Sequence, residues 1–219
     1  MKIAIVGAAG RMGKKLIELA ATEGLEVVSK VDVAEGYDRE WAAETEGVID
    51  FSFHTCVPCY IEKAAAAGIP YVIGTIGLTA DEQEKVEAAK MKIPVVQSGN
   101  YSPGVNLMLH LVEEAAATLG KSYEIEITEM HHKWKKDAPS GTAIMLAKAA
   151  GSTTPIHSLR GGAVVGDHTV MFAGELERVE ITHKAQDRAA FAMGALKAPK
   201  WAAGRAAGGY TMRDVLGFK

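Results

Sequence analysis

Strand and helix patterns alternate along residues 2–97, and the first turn between them is a cluster of glycines. Lys2 to Val6 is a short apolar run that leads into Gly7-Ala8-Ala9-Gly10-Arg11-Met12-Gly13. After that turn Leu16, Ile17, Leu19 and Ala20 recur at helical spacing. Glu26 to Val31 reads as a second strand, Val48 to Phe53 as a third, Tyr60 to Ala67 as a helix stopped by Gly68, and Tyr71 to Ile73 as a fourth strand. Thr79 and Glu82 form a capping box for a helix running through Lys90, and Ile93 to Gln97 is the next strand. Strands separated by helices imply an α/β fold: a Rossmann-like, doubly wound parallel sheet whose ligands sit beyond the carboxyl ends of its strands.

The glycine turn has two readings. It is either an ordinary tight turn before a packed helix or a phosphate cradle, in which glycines allow close approach and the helix N-terminus faces a pyrophosphate. Its spacing, Gly7, Gly10, Gly13, departs from G-x-G-x-x-G because position 9 is Ala. The second strand ends in Asp32, near the roughly 20-residue distance at which an acid holds the adenosine ribose of a dinucleotide. Two more loops follow strands of the same sheet, Gly74-Thr75-Ile76-Gly77 and Ser98-Gly99-Asn100-Tyr101. They belong at the sheet's carboxyl edge, toward the nicotinamide half of such a cofactor.

Asn100-Tyr101-Ser102-Pro103-Gly104 breaks the alternation and marks a domain boundary. A helix from Val105 to Leu119 ends at Gly120, and Tyr123 to Thr128 alternates as a half-buried strand. The chain then gathers His131, His132, Lys135 and Asp137 ahead of Pro139-Ser140-Gly141-Thr142, where an Ala/Leu/Met-rich helix opens. A helix N-terminus carries unpaired N–H groups and partial positive charge, so Ser140, Gly141 and Thr142 form a candidate anion cradle. Lys135 and a histidine beside it suit a carboxylate and a proton transfer. Ile156 to Leu159, His168 to Phe172 and Leu176 to His183 read as strands, giving an α+β second domain on a mixed sheet. Arg188 to Arg205 returns to helical composition, with Gly194 and Pro199 weakening it. His157, His168 and His183 lack metal-ligand spacing, so no metal is assigned.

With 24 basic and 27 acidic side chains the protein has no strong field for nucleic acid or anionic lipid. No apolar run approaches the roughly 18 residues that span a bilayer. The expectation is a cytoplasmic protein acting on small molecules. Cys56 and Cys59, spaced C-V-P-C near a helix start, are expected to be a reduced pair, since nothing around them reads as a redox domain.

The run E-I-x-E-x-H-x-x-x-K-x-D-x-P-S-G-T-A, from Glu126 to Ala143, resembles the signature of the 4-hydroxy-tetrahydrodipicolinate (dihydrodipicolinate) reductase family of diaminopimelate and lysine biosynthesis. Phe172 to Ala185 is similar to a second family segment, and the glycine turn to a third. The resemblance implies a nicotinamide-dependent reductase that converts a cyclic dicarboxylate to tetrahydrodipicolinate. It implies that Gly7, Ala8, Ala9, Gly10, Arg11 and Met12 hold the pyrophosphate and Asp32 the ribose. Gly74, Thr75, Ile76, Ser98, Gly99, Asn100 and Tyr101 then face the nicotinamide. His132, Ser140, Gly141 and Thr142 bind the substrate carboxylates, and His131 donates a proton. Lys135 acts as a second acid or by charge alone, while Asp137 and Glu129 orient this loop rather than take part in the chemistry. Where the family often has an arginine for the NADPH 2′-phosphate, this chain has Val33, which favours NADH, although Lys30 or Arg11 remain as sources of positive charge. The family resemblance also implies a discontinuous dinucleotide-binding domain, 1–101 with 188–219, around a substrate-binding and oligomerisation domain, 102–187, and a homotetramer. The chain is short for the family, with trimmed connections before Val48 and after Gly151.

Overall fold

A computed structural model describes residues 1–151 and 154–218, which divide into two compact units, 1–102 with 191–218 and 103–151 with 154–190. The connection expected to be trimmed after Gly151 includes Ser152 and Thr153, outside the described residues.

In chain order the first unit contains β1 (Lys2–Val6), α1 (Arg11–Leu19), β2 (Glu26–Val31), β3 (Gly47–Asp50), α2 (Val57–Ala67), β4 (Tyr71–Ile73), α3 (Ala80–Lys90) and β5 (Pro94–Gln97). The second contains α4 (Pro103–Leu119), β6 (Glu124–His131), α5 (Gly141–Ala149), β7 (Ile156–Arg160), β8 (Gly166–Ala173) and β9 (Arg178–Ala185). Most of α6 (Ala189–Ala202), with β10 (Gly208–Tyr210) and α7 (Met212–Leu216), returns to the first unit.

The first unit's sheet runs β10-β5-β4-β3-β1-β2, and every pairing in it is parallel. Parallel strands covered on both faces need apolar residues at successive positions, and β1 supplies them. Ile3 and Ile5 join Leu16 of α1 and Ala192, Ala195 and Leu196 of α6 in one core. Ala4 and Val6 join Val57 and Ile61 of α2 and Val86 of α3 in the other. The sheet is therefore doubly wound, as the sequence pattern requires. Strand order reverses between β1 and β3, the crevice where such sheets take ligands.

Local signals set many of the boundaries. Thr79 caps α3 with the reciprocal Glu82 bond, Gly68 ends α2 at φ +68°, and Ser140 caps α5. Gly194 and Pro199 lie buried inside α6 without ending it, on a helix that packs on the sheet through Ala192, Ala195 and Leu196. Between β2 and β3 the described residues form no helix; the link is held by Asp38, which accepts from the Lys30 N–H and donates its own N–H back to the Lys30 carbonyl.

The second unit has the mixed sheet β7-β6-β8-β9, in which β6 pairs parallel with β7 and antiparallel with β8. One face, carrying Ile127, Val170 and Phe172, packs on α4 and α5 through Val105, Leu109, Val112 and Leu146. The other carries half-exposed residues such as Met130, Thr169 and Met171.

Three strand boundaries differ from the sequence pattern. Strand β3 stops at Asp50, because Phe51 to Phe53 turn into the loop ahead of α2. Strand β9 begins at Arg178 rather than Leu176, which is 99% exposed in the turn closed by Gly174 and Glu177. Strand β6 runs to His131 instead of stopping at Thr128, because β7 and β8 pair with it along Glu129 and Met130. Glu129 and His131 are thus strand residues on the helix-covered face, not loop residues.

Candidate active site

Two sites emerge, one in each unit. In the first, β1 delivers Gly7 to the switch point at φ +80°, where a side chain would collide with the Phe51 carbonyl 2.3 Å away. A Cβ at Gly13 would lie 2.2 Å from the Gly7 carbonyl, so the start of α1 also approaches this turn closely enough to require glycine. Gly10 caps α1 without a side-chain bond, which leaves the helix N-terminus to an outside anion. Asp32 accepts from the N–H groups of Ala9 and Ala34, fixing its carboxylate beside the turn. Next to it is a cavity of about 450 Å³ lined by the turn, by Asp32 and Val33, and by Phe51, Phe53 and Tyr60. A dinucleotide fits this set: a glycine cradle for phosphate, a fixed acid for ribose hydroxyls, and aromatic walls for a base.

Several other predicted residues serve the scaffold. Thr75 Oγ1 donates to Asp50 Oδ1 and accepts from the Ser52 N–H. A side chain at Gly74 would strike the Phe51 ring. Tyr101, predicted to face the nicotinamide, is buried, with its hydroxyl 2.7 Å from the Ile73 carbonyl and its ring against Phe51. Its side chain is occupied by the core, so the loop offers backbone there. Ile76 is 74% exposed, and Ser98 donates to the Asn100 carbonyl. Cys56 lines the cavity, Cys59 is exposed, and both are free thiols.

The second unit's site centres on Glu129, fully buried on β6. Arg160, at the end of neighbouring β7, grips it with two bonds of 2.9 Å, Nη1 to Oε2 and Nη2 to Oε1. The Ser140 N–H donates to Oε1, and His131 Nδ1 lies 2.5 Å from Oε2. Burial works to raise the Glu129 carboxyl, but hydrogen bonds from Arg160, Ser158 and His131 outweigh it and hold it at about 2. An ionised carboxylate only accepts, so the shared proton sits on His131 Nδ1. Burial lowers the pKa of His131, and Glu129 partly restores it.

Around this pair, His168 of β8 packs edge-on to His131 with ring centres 5.2 Å apart and its Nε2 3.2 Å from Ser140 Oγ. Burial, then the charge of His131, holds His168 down to about 4. Lys135 Nζ lies 2.7 Å from the exposed Asp137 carboxylate, and the Asp137 carbonyl accepts from Arg160. Ser140 also caps α5 by accepting from the Ala143 N–H, so its polar atoms are engaged within the protein. At Gly141 a side chain would meet nothing within 4 Å, which leaves the backbone of the first turn open. The His132 ring lies tilted near Trp134, and its buried Nδ1 has no hydrogen-bond partner among the described residues.

The fold therefore brings His131, Ser140 and Lys135 into one neighbourhood with Glu129. Sequence reasoning gave Glu129 only an orienting role and missed Arg160, His168 and Gly166. The only signal for Arg160 is one cation ending an apolar strand pattern.

Such a fold, carrying a dinucleotide turn in one unit and a histidine–carboxylate pair beside a helix N-terminus in the other, makes the chain a nicotinamide-dependent oxidoreductase. Family models described as dihydrodipicolinate reductase, N-terminus and C-terminus, match residues 1–101 and 104–216. The chain belongs to the dihydrodipicolinate reductase family. The 4-hydroxy-tetrahydrodipicolinate reductases of Zymomonas mobilis subsp. mobilis and Anaeromyxobacter dehalogenans are each 42% identical to it, with all of this chain and 98% of each relative covered. A dipicolinate-bound dihydrodipicolinate reductase from Paenisporosarcina sp. TG-14 shares the fold at TM-score 0.82 and 21% identity, covering 96% of this chain and 97% of that one. Among the described residues no helix is long and apolar enough to cross a membrane.

Proposed function

We propose that this protein reduces 4-hydroxy-tetrahydrodipicolinate to tetrahydrodipicolinate in diaminopimelate and lysine biosynthesis, in the cytoplasm, with NADH preferred over NADPH. The observation that carries the reading is the buried Glu129–His131 pair at the strand end that leads to the open first turn of α5.

In the first unit, Gly7, Gly10, Arg11 and Met12 would hold the pyrophosphate and Asp32 the ribose hydroxyls. The preference for NADH is supported by the cavity lining, which includes no Lys or Arg, and by Val33, 82% exposed after Asp32. Reduced nicotinamide, when bound, supplies a hydride.

In the second unit, the first-turn N–H groups of Gly141 and Thr142 receive one substrate carboxylate, and Lys135 and His132 balance the other. Lys135 must exchange Asp137 for the substrate. The 4-hydroxyl would leave as water together with a proton from the adjacent ring carbon, and hydride supplied at C4 would then push charge into the enamine system, to be met by a proton at that carbon. His131 then delivers a proton from Nε2. Burial keeps that imidazole largely neutral until a dianion arrives, and the dianion's field favours its protonated form. A homotetramer is supported by the sheet face opposite α4 and α5, where Leu159 of β7 is 50% exposed beside Met130.

The test is a coupled assay following NADH absorbance, with substrate made in situ from pyruvate and aspartate semialdehyde. His131→Ala and Lys135→Ala should each lower kcat by about 10²–10⁴-fold with dinucleotide affinity unchanged. Full turnover in both variants would refute the assignment.

A further inference from the structure

Glu129 is held from several sides at once, and little of what it contacts is explained by substrate binding. Its two oxygens receive both guanidinium prongs of Arg160, the Ser140 N–H and His131 Nδ1, all inside a site where its own exposure is zero. Arg160 also donates to the carbonyls of Leu159 and Asp137, tying its own strand and the loop after β6 to the same point. A buried ion pair rarely adds net stability over apolar packing, so this geometry calls for another explanation.

Imidazole has two nitrogens, and a proton donor works only when the right one carries the transferable proton. We propose that Glu129 and Arg160 are positioning residues for this reaction: their two-pronged pair, with Glu129 fully buried, holds the His131 proton on Nδ1 and leaves Nε2 to exchange a proton with the substrate. This rests on the reading above that His131 is the donor.

The arrangement is directional. Arg160 keeps Glu129 ionised, the ionised carboxylate only accepts, and His131 is left one tautomer when neutral. The groups facing the imidazole are Glu129 from its own strand, Arg160 from β7, Lys135 from the following loop, and His168 from β8 with His183 paired behind it. Of these only Glu129 is negative. Its loss makes His131 harder to protonate.

Glu129→Gln is the direct test, measured on the full-length enzyme together with His131→Asn and the double variant. Glu129→Gln should lower kcat at least about 10²-fold, within the range of general acid–base groups, and move the alkaline limb of the kcat profile to lower pH by roughly one unit. Proton-detected nitrogen spectra of the imidazoles should lose the Nδ1–H form of His131. In the His131→Asn background the Glu129→Gln change should cost no further activity. Should Glu129→Gln not fold, Glu129→Gln with Arg160→Met removes both charges, and a smaller limb shift in the same direction is expected, because Arg160 also holds the imidazole down, together with the same loss of the Nδ1–H form. An unmoved limb with the Nδ1–H form intact would overturn the proposal even if kcat fell. If His131→Asn turned over like the parent, the donor assignment itself would fail, which is a separate result.

Discussion

A Cβ on Gly166 would lie 2.9 Å from His131 Nε2 and 3.3 Å from its Cδ2. The imidazole cannot swing away, because Nδ1 on its opposite side is bound to Glu129 and its edge packs against His168. Glycine at 166 is therefore a requirement of the placement of the His131 ring, not of backbone conformation, since Gly166 does not have a positive φ.

Gly166→Ala should displace the ring by a few tenths of an ångström or more and lower kcat about 10- to 100-fold. NADH affinity, followed by fluorescence titration, should stay within about two-fold, because the residues proposed for the dinucleotide lie in the other unit. An unchanged kcat would contradict the placement of His131.

Acid should weaken the protein in two windows. His168 titrates at about 4 in the folded chain against an ordinary 6.5, so the unfolded chain takes up its proton first. Stability from this residue is complete above about pH 6.5 and falls as pH drops toward 4, by on the order of 3 kcal/mol. Glu129 is depressed to about 2, so its contribution is present above about pH 4.5 and fades below that. Urea unfolding from pH 7 to 3 should show both slopes. His168→Gln should lessen only the upper one, to which His131 and His183, also held down by burial, add.

Asp137 is expected to compete with substrate for Lys135, whose Nζ it already holds at 2.7 Å. The pair is on the surface, with the Asp137 side chain 61% exposed, so it is worth about 0–1 kcal/mol to folding. Asp137→Asn should shift Tm by no more than about 3 °C and tighten binding of pyridine-2,6-dicarboxylate about two- to five-fold by calorimetry. Weaker binding would mean that Asp137 orients Lys135 for the ligand.

Cofactor choice should respond at Val33 and Arg39. Arg39 is an exposed cation whose Nη1 donates 2.9 Å to the Asp32 carbonyl, close to where a 2′-phosphate would approach the ribose acid. Val33→Arg should raise kcat/KM for NADPH about tenfold with little change for NADH. Arg39→Ala should reduce NADPH use alone. Steady-state kinetics with both cofactors would show it.

What the sequence determined by itself is what short-range chemistry specifies. The glycine turn after β1, the Thr79–Glu82 capping box, the Ser140 cap and the β/α alternation all act within a few residues, so they are readable without knowing what packs against them. Glu126 to Ala143 was likewise legible as a strand-to-helix connection rich in titratable groups.

The tertiary structure decided what depends on partners distant in sequence. The length of β6 follows from pairing with β7 and β8, and that pairing turns His131 from a loop residue into a strand end. Arg160 meets Glu129 only because Glu129 and Ser158 are paired in parallel strands, and His168 reaches Ser140 only because β8 runs antiparallel to β6. Tyr101 likewise went to the core rather than the loop surface, because the Ile73 and Val96 carbonyls receive its hydroxyl. Periodicity reports which face of an element is apolar; it does not report which residue of another strand will stand opposite, and the contacts of Arg160 and His131 with Glu129 depend on that.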